Sequence, residues 1–125
     1  MITRFFQASD GWLFFTLLSL HRRRLSLAHI IVLGNLSNHA IFTLAQINGG
    51  LSRLEREGYI LFENGRMFLT PKAKAFHKAN KKVGEPCISQ QVRYSQLFSA
   101  MQLEKEGEEK EFFTEKEYLA VIEKY

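Results

Sequence analysis

The side chains of this 125-residue chain best suited to chemistry are its cations. Arg22, Arg23 and Arg24 form a run, Arg53 and Arg56 lie one helical turn apart, and Arg66 follows the dipeptide Asn64-Gly65. A guanidinium is a planar fork of donors that matches a phosphate or the edge of a guanine, so the chemistry suggested is polyanion binding rather than bond making. The parts needed for catalysis do not come together. Asp10 is the only aspartate, and His21, His29, His39 and His77 fall into no metal-ligand spacing. Gly49-Gly50 lies inside a predicted helix rather than after a strand, so it is no phosphate loop. The glutamates crowd only in a charged run and in the last helix, where no apolar surroundings would raise a pKa. Cys87 is alone and can form neither an internal disulfide nor a cysteine-built zinc site. The expectation is a binding protein, not an enzyme, with no cofactor and no metal.

The charge is divided along the chain. Residues 1–82 carry twelve Lys/Arg against four carboxylates, a net +8, and residues 83–125 carry five against nine, a net −4. Clustered cations release condensed counterions when they meet phosphates, so a basic body with an acidic tail suits a nucleic acid. The 46% apolar, 24% charged composition is that of one globular domain and excludes disordered and collagen-like classes. The longest apolar run, Trp12 to Leu20, contains Thr16 and Ser19 and falls short of the roughly 20 residues a bilayer needs. No basic leader with a cleavage site is read, and cysteine usage suits a reducing compartment; a cytoplasmic location is expected.

The predicted elements position these residues. Ser9 or Asp10 caps a first helix ending near His21. Its apolar residues wrap most of the circumference, which predicts cover on both sides, one of them from a second copy of the chain. Arg22–Arg24 then read as solvated surface compatible with the helix dipole. Ser26 starts a second helix ending at Gly34 or Leu36. Thr43 and Gln46 form a capping box at the start of a third helix, with Leu44, Ile47, Leu51 and Leu54 on one face and Gly58 as the left-handed stop. Gln46, Gly49, Gly50 and Arg53 share the opposite face. Residues 59–63 and 66–70 flank Asn64-Gly65, the preferred type I′ turn, with Glu63 opposite Arg66. Thr70 caps a fourth helix with Pro71 at its first position, a buried stripe of Ala73, Phe76, Ala79 and Val83, and a solvated lysine face. A fifth helix is predicted from Ser89 to Glu104, a solvated loop from Glu104 to Glu111, and a last helix from Thr114 with Glu117 closing its capping box.

Three helices, a tight hairpin and a following helix resemble a winged helix-turn-helix. The segment Leu51-Ser52-Arg53-Leu54-Glu55-Arg56-Glu57-Gly58-Tyr59-Ile60 is similar to the end of the recognition helix and first wing strand of MarR-like and PadR-like regulators. Leu69-Thr70-Pro71-Lys72-Ala73-Lys74-Ala75-Phe76 resembles their second wing strand and next helix. The resemblance implies a mainly α fold with one small β-hairpin: a winged-helix domain over residues 1–83, and a C-terminal helical extension over 84–125 that belongs to the same domain or dimerises. It also implies that the third helix enters a DNA major groove, with Gln46, Arg53 and Asn48 facing bases or phosphates, Arg56 on phosphate, and Asn64 with Arg66 at the wing tip. Arg53 has a second candidate partner in Glu57 at i+4.

The expected function is therefore a small DNA-binding transcriptional regulator, a homodimer through its first and C-terminal helices, with two third helices about one DNA turn apart. Ala45, Gly49 and Gly50 bring no donors to the third helix, which motivates an alternative: a winged-helix protein-interaction module that binds a partner through the glycine face. Both readings require the Gln46/Arg53 side of that helix to be free.

Overall fold

The computed structural model describes residues 4–125 as a mainly helical fold with one two-stranded antiparallel hairpin. Helix α1 spans Ala8–Leu17. Its cap is Gln7, one turn before Asp10, whose carboxylate accepts the Gln7 backbone N–H at 2.8 Å. Asp10 thus acts from the third helical position rather than as the cap residue. A turn of 3₁₀ helix, Leu18–Leu20, follows.

The expectation that α1 needs cover on both sides holds, but the chain supplies both covers itself. Helix α5, Cys87–Ser99, runs along one side, and α2, Leu27–Asn38, and α3, Leu44–Arg56, fill the other. Seven residues of α1, from Asp10 to Leu17, are buried. The cover on both sides of α1 therefore calls for no second copy of the chain. The closeness of α5 rests on Gly11: a Cβ there would lie 2.3 Å from the Tyr94 carbonyl oxygen.

Helix α2 runs to Asn38, beyond the expected stop, because His39 takes the left-handed conformation (φ 52°) that ends it. Behind it Phe42 fills the notch over Gly34 and stacks on Trp12 at 3.5 Å between ring centres, while the Trp12 indole N–H donates to the Gly34 carbonyl. Helix α3 carries the Thr43/Gln46 capping box, and Gly58 (φ 83°) turns the chain at its end.

Strands β1, Ile60–Glu63, and β2, Arg66–Leu69, pair in the expected register, with Glu63 opposite Arg66 and Asn64-Gly65 both at positive φ. The far edge of β2 is also occupied. Met67 exchanges backbone hydrogen bonds with Arg22 and Arg23, Arg24 bridges Arg66, and His21 Nδ1 accepts the Leu69 N–H at 2.9 Å. The hairpin is thereby fixed to the segment after α1.

Helix α4, Pro71–Asn80, starts at Thr70 as expected but ends earlier. Lys81 leaves in an extended conformation, so the predicted stripe stops at Phe76: Ala79 is exposed and Val83 is 99% exposed. Helix α5 likewise ends at Ser99 instead of Glu104, because residues 101–103 pair with Arg4–Phe6 in extended form. Its Tyr94 and Phe98 join Phe6, Phe14, Tyr59 and Phe76 in an aromatic cluster at the centre of the core. The last helix, α6, Glu115–Lys124, has the predicted Thr114/Glu117 box and lies on α2, where the Tyr118 hydroxyl donates to the Phe42 carbonyl. No helix among the described residues is long and apolar enough to cross a membrane.

Candidate nucleic-acid interface

Helix α3 is enclosed. On the α1 side, Arg53 is 8% exposed and grips Asp10 with two hydrogen bonds, Nε to Oδ2 at 2.7 Å and Nη2 to Oδ1 at 2.9 Å. Burial works against the charged guanidinium, but the hydrogen bond and charge of Asp10 outweigh it and hold the Arg53 pKa above its ordinary value. The two mid-helix glycines make room for these neighbours. A Cβ at Gly50 would lie 2.6 Å from Leu13 Cδ2 and 3.0 Å from Asp10 Oδ1, and one at Gly49 would lie 2.5 Å from Glu109 Oε1. The bare backbone at both glycines is approached by side chains.

On its other side α3 is covered by residues 104–113, an extended strap. Asn48 Oδ1 accepts the backbone N–H groups of Phe112 and Phe113, and its amide donates to the Phe113 carbonyl. Ser52 Oγ accepts the Lys110 N–H at 2.7 Å. The buried Glu57 carboxylate accepts the N–H groups of Glu104 and Lys105 at 2.9 and 2.8 Å. The run Glu104 to Glu111 is the exposed loop expected, but its backbone is tied to α3 at Glu104, Lys105 and Lys110.

The predicted site residues are consequently dispersed. Gln46, half-exposed, uses its carboxamide oxygen in the capping box, accepting the Thr43 N–H. Arg53 lies in its buried pair with Asp10, and the Arg53–Glu57 pair does not form because Glu57 faces the strap. Arg56 is half-buried and donates to the Glu108 carbonyl at 3.2 Å. Asn64 and Arg66 are exposed at the hairpin as expected. Gly49, Gly50 and Arg53 on the face needed by both sequence readings are buried and only Gln46 is half-exposed, so neither groove reading by Arg53 nor docking on the glycines fits this arrangement.

What the fold does bring together is a ridge of cations. Arg24 lies beside Arg66 across the edge of β2, Arg66 Nη1 donates to the Arg22 carbonyl, and Arg22 and Lys74 both act on His21. Lys78 is one turn beyond Lys74 on α4. Burial, then the charges of Lys74 and Arg22, lower the His21 pKa. The four ion pairs among the described residues involve Arg53, Arg93 and Lys110, and none involves the ridge. Lys72 stands apart, its ammonium donating to the Glu57 carbonyl above the Tyr59 ring.

No family model matches the chain, and no curated protein and no solved structure matches it. The reading of the ridge therefore stands on its chemistry. By sequence alone, Arg22–Arg24 and the α4 lysines read as separate solvated faces. The signal that unites them is the pairing of residues 21–24 with β2, which no local motif announces. Among the described residues, no group of three or more His, Cys, Asp or Glu side chains is arranged to hold a metal ion.

Proposed function

We propose that the chain is a winged-helix module that binds duplex DNA through the ridge of Arg22, Arg23, Arg24, Arg66, Lys74 and Lys78, with α3 serving as a structural helix. The order of three helices, minimal hairpin and capped fourth helix supports the winged-helix reading. The observation that carries the DNA reading is the gathering of the exposed Arg22, Arg24, Arg66 and Lys74 about the edge of β2 with no ion pair among the described residues, Glu63 standing opposite Arg66. A protein gains little folding stability by concentrating like charges, whereas a phosphate backbone rewards that arrangement by counterion release.

This placement has a consequence for specificity. Contacts to phosphate fix register but carry no sequence information, and α3 presents no free donor row to base edges. Binding is accordingly backbone-directed, with a Kd in the non-specific range of about 10⁻⁴ to 10⁻⁶ M at physiological salt. A regulatory role would then follow from occupancy rather than from reading an operator.

The test is DNA affinity measured by fluorescence anisotropy over a salt series, using two duplexes of unrelated sequence. Both duplexes should bind alike, and the charge reversals Arg22→Glu, Arg24→Glu and Lys74→Glu should each weaken binding and flatten the salt slope by about 0.9. Salt-insensitive binding, or affinity unchanged by all three reversals, would remove the reading.

A further inference from the structure

We propose that the cavity between the N-terminal segment, the end of α3 and the strap binds a small phosphate monoester, with the phosphate on Arg53 and Arg56 and the organic part against Phe5 and Leu103. The cavity has a volume of about 380 Å³, enough for a small ligand. Arg4, Arg53, Arg56 and Lys105 all line it, and so do the carboxylates of Glu106 and Glu109.

Three observations point to an anion there. First, Arg56 Nε is buried and has no hydrogen-bond partner, although its neighbour Nη1 is used on Glu108. A buried charged donor left unpaired is costly; Nε lies beneath Gly107 of the strap, so an acceptor in the cavity would reach it once that glycine shifts. Second, Arg53 commits Nε and Nη2 to Asp10, leaving Nη1 with only Glu109 at 3.5 Å, long for a charge-assisted contact. Glu109 is itself half-exposed and reaches Arg53 across the bare backbone of Gly49. It is a loosely held carboxylate in the place of a ligand. Third, the charge count favours an anion. Four cations line the cavity against Glu106 and Glu109, with Asp10 and Glu57 buried behind it; with Glu109 displaced into water, four stand against three.

The cavity also has an apolar wall. Phe5 is 45% exposed and Leu103 half-buried, and both face it. An organic group carrying the phosphate would cover Phe5, which a free inorganic ion cannot do. The proposal is independent of DNA binding, because none of the ridge residues lines the cavity.

The test uses phenyl phosphate as probe, followed by isothermal titration and thermal shift, with inorganic phosphate and phenol as comparators. Phenyl phosphate should bind at one site and more tightly than either comparator. Glu109→Gln, which removes the competing charge and leaves the fold's anchors in place, should bind it more tightly than the unaltered chain. Arg56→Lys, which keeps the charge but lacks Nε, should weaken binding by about tenfold, the effect of one charge-assisted hydrogen bond. Several results would overturn the site: no binding by either the unaltered chain or Glu109→Gln, equal binding by Arg56→Lys, or loss of binding in Arg22→Glu. Phosphate and phenyl phosphate of equal affinity would overturn the monoester. Displacement of phenyl phosphate by a DNA duplex would assign the pocket to nucleic-acid phosphate instead.

Discussion

Arg53 and Asp10, 43 residues apart in sequence, form a bidentate ion pair at 2.7 and 2.9 Å in the interface between α1 and α3, with Asp10 fully buried. Asp10 also accepts the Gln7 N–H, so one carboxylate caps a helix and neutralises a neighbouring one. Removing one partner of such a pair strands the other charge in the core, at a cost of about 3–5 kcal/mol. Arg53→Met should therefore lower unfolding free energy in urea by about that amount, and the double variant Asp10→Leu/Arg53→Met should recover most of it. Arg53→Lys should also destabilise, because an ammonium cannot reproduce the fork. A selective loss of DNA affinity in Arg53→Lys at unchanged stability would contradict the buried role.

Alanine normally stabilises a helix over glycine by about 1 kcal/mol, and α1 and α3 should both violate that rule. At Gly11 the added methyl group meets the Tyr94 carbonyl and the Ser95 Cα at 2.3 and 2.6 Å, backbone atoms that move only with α5. At Gly50 it meets the end of Leu13, which can rotate, and Asp10 Oδ1 at 3.0 Å. Gly11→Ala should consequently cost more than Gly50→Ala, the latter lying within the roughly 1–3 kcal/mol of ordinary overpacking. Thermal melts of the two variants measure the order directly. Stabilisation by Gly50→Ala would mean that the α1–α3 contact is looser than described.

The parts of the fold that sequence displays are those set by local rules. Thr43 with Gln46, Thr70 with Pro71, Thr114 with Glu117 and the Asn64-Gly65 turn each satisfy backbone groups within a few residues, and all four stand where their spacing puts them. What stayed hidden is long-range. Local spacing offers Arg53 only Glu57 at i+4, and the packing of α1 against α3 brings it the distant Asp10 instead. The all-round apolar character of α1 announces that it must be covered, but not that α5 covers it rather than another chain. The strap was least legible, since Glu104 to Glu111 contribute backbone groups to it and the recognising side chains, Asn48, Ser52 and Glu57, resemble a solvated helix face.

Those three side chains should therefore behave as core residues. Glu57 is 6% exposed and its two accepted N–H groups begin the strap, while Asn48 holds the other end with three hydrogen bonds. Hydrogen bonds to a charged group contribute about 1.5–3 kcal/mol, so Glu57→Ala should cost at least that much. Asn48→Ala should release Phe112 and Phe113 from α3. Amide exchange is the discriminating measurement, with protection lost at residues 104–105 in the first variant and at 112–113 in the second. Uniform loss of protection in both would show instead that the strap unfolds only with the whole chain.

Acid should loosen both the hairpin, through His21, and the His77–Tyr94 contact beside the aromatic core. His21 Nδ1 must be unprotonated to accept the Leu69 N–H, and burial, Lys74 and Arg22 lower its pKa from the ordinary 6.5. His77, against the Tyr94 hydroxyl, is lowered too, by burial and then by Lys81. A histidine whose folded pKa is lowered binds its proton more readily in the unfolded chain. Its contribution to stability is therefore whole above 6.5 and declines as pH falls below that value, levelling off under the folded pKa. Urea midpoints should be flat from pH 8 to about 7 and drop on acidification. His21→Asn, whose carboxamide oxygen can take over from Nδ1, should flatten part of that drop, and the hairpin amides should become the most acid-resistant gain. A DNA phosphate on the ridge opposes the lowering by Lys74 and Arg22, so bound DNA should raise the His21 pKa, which the imidazole ring protons report in an NMR titration.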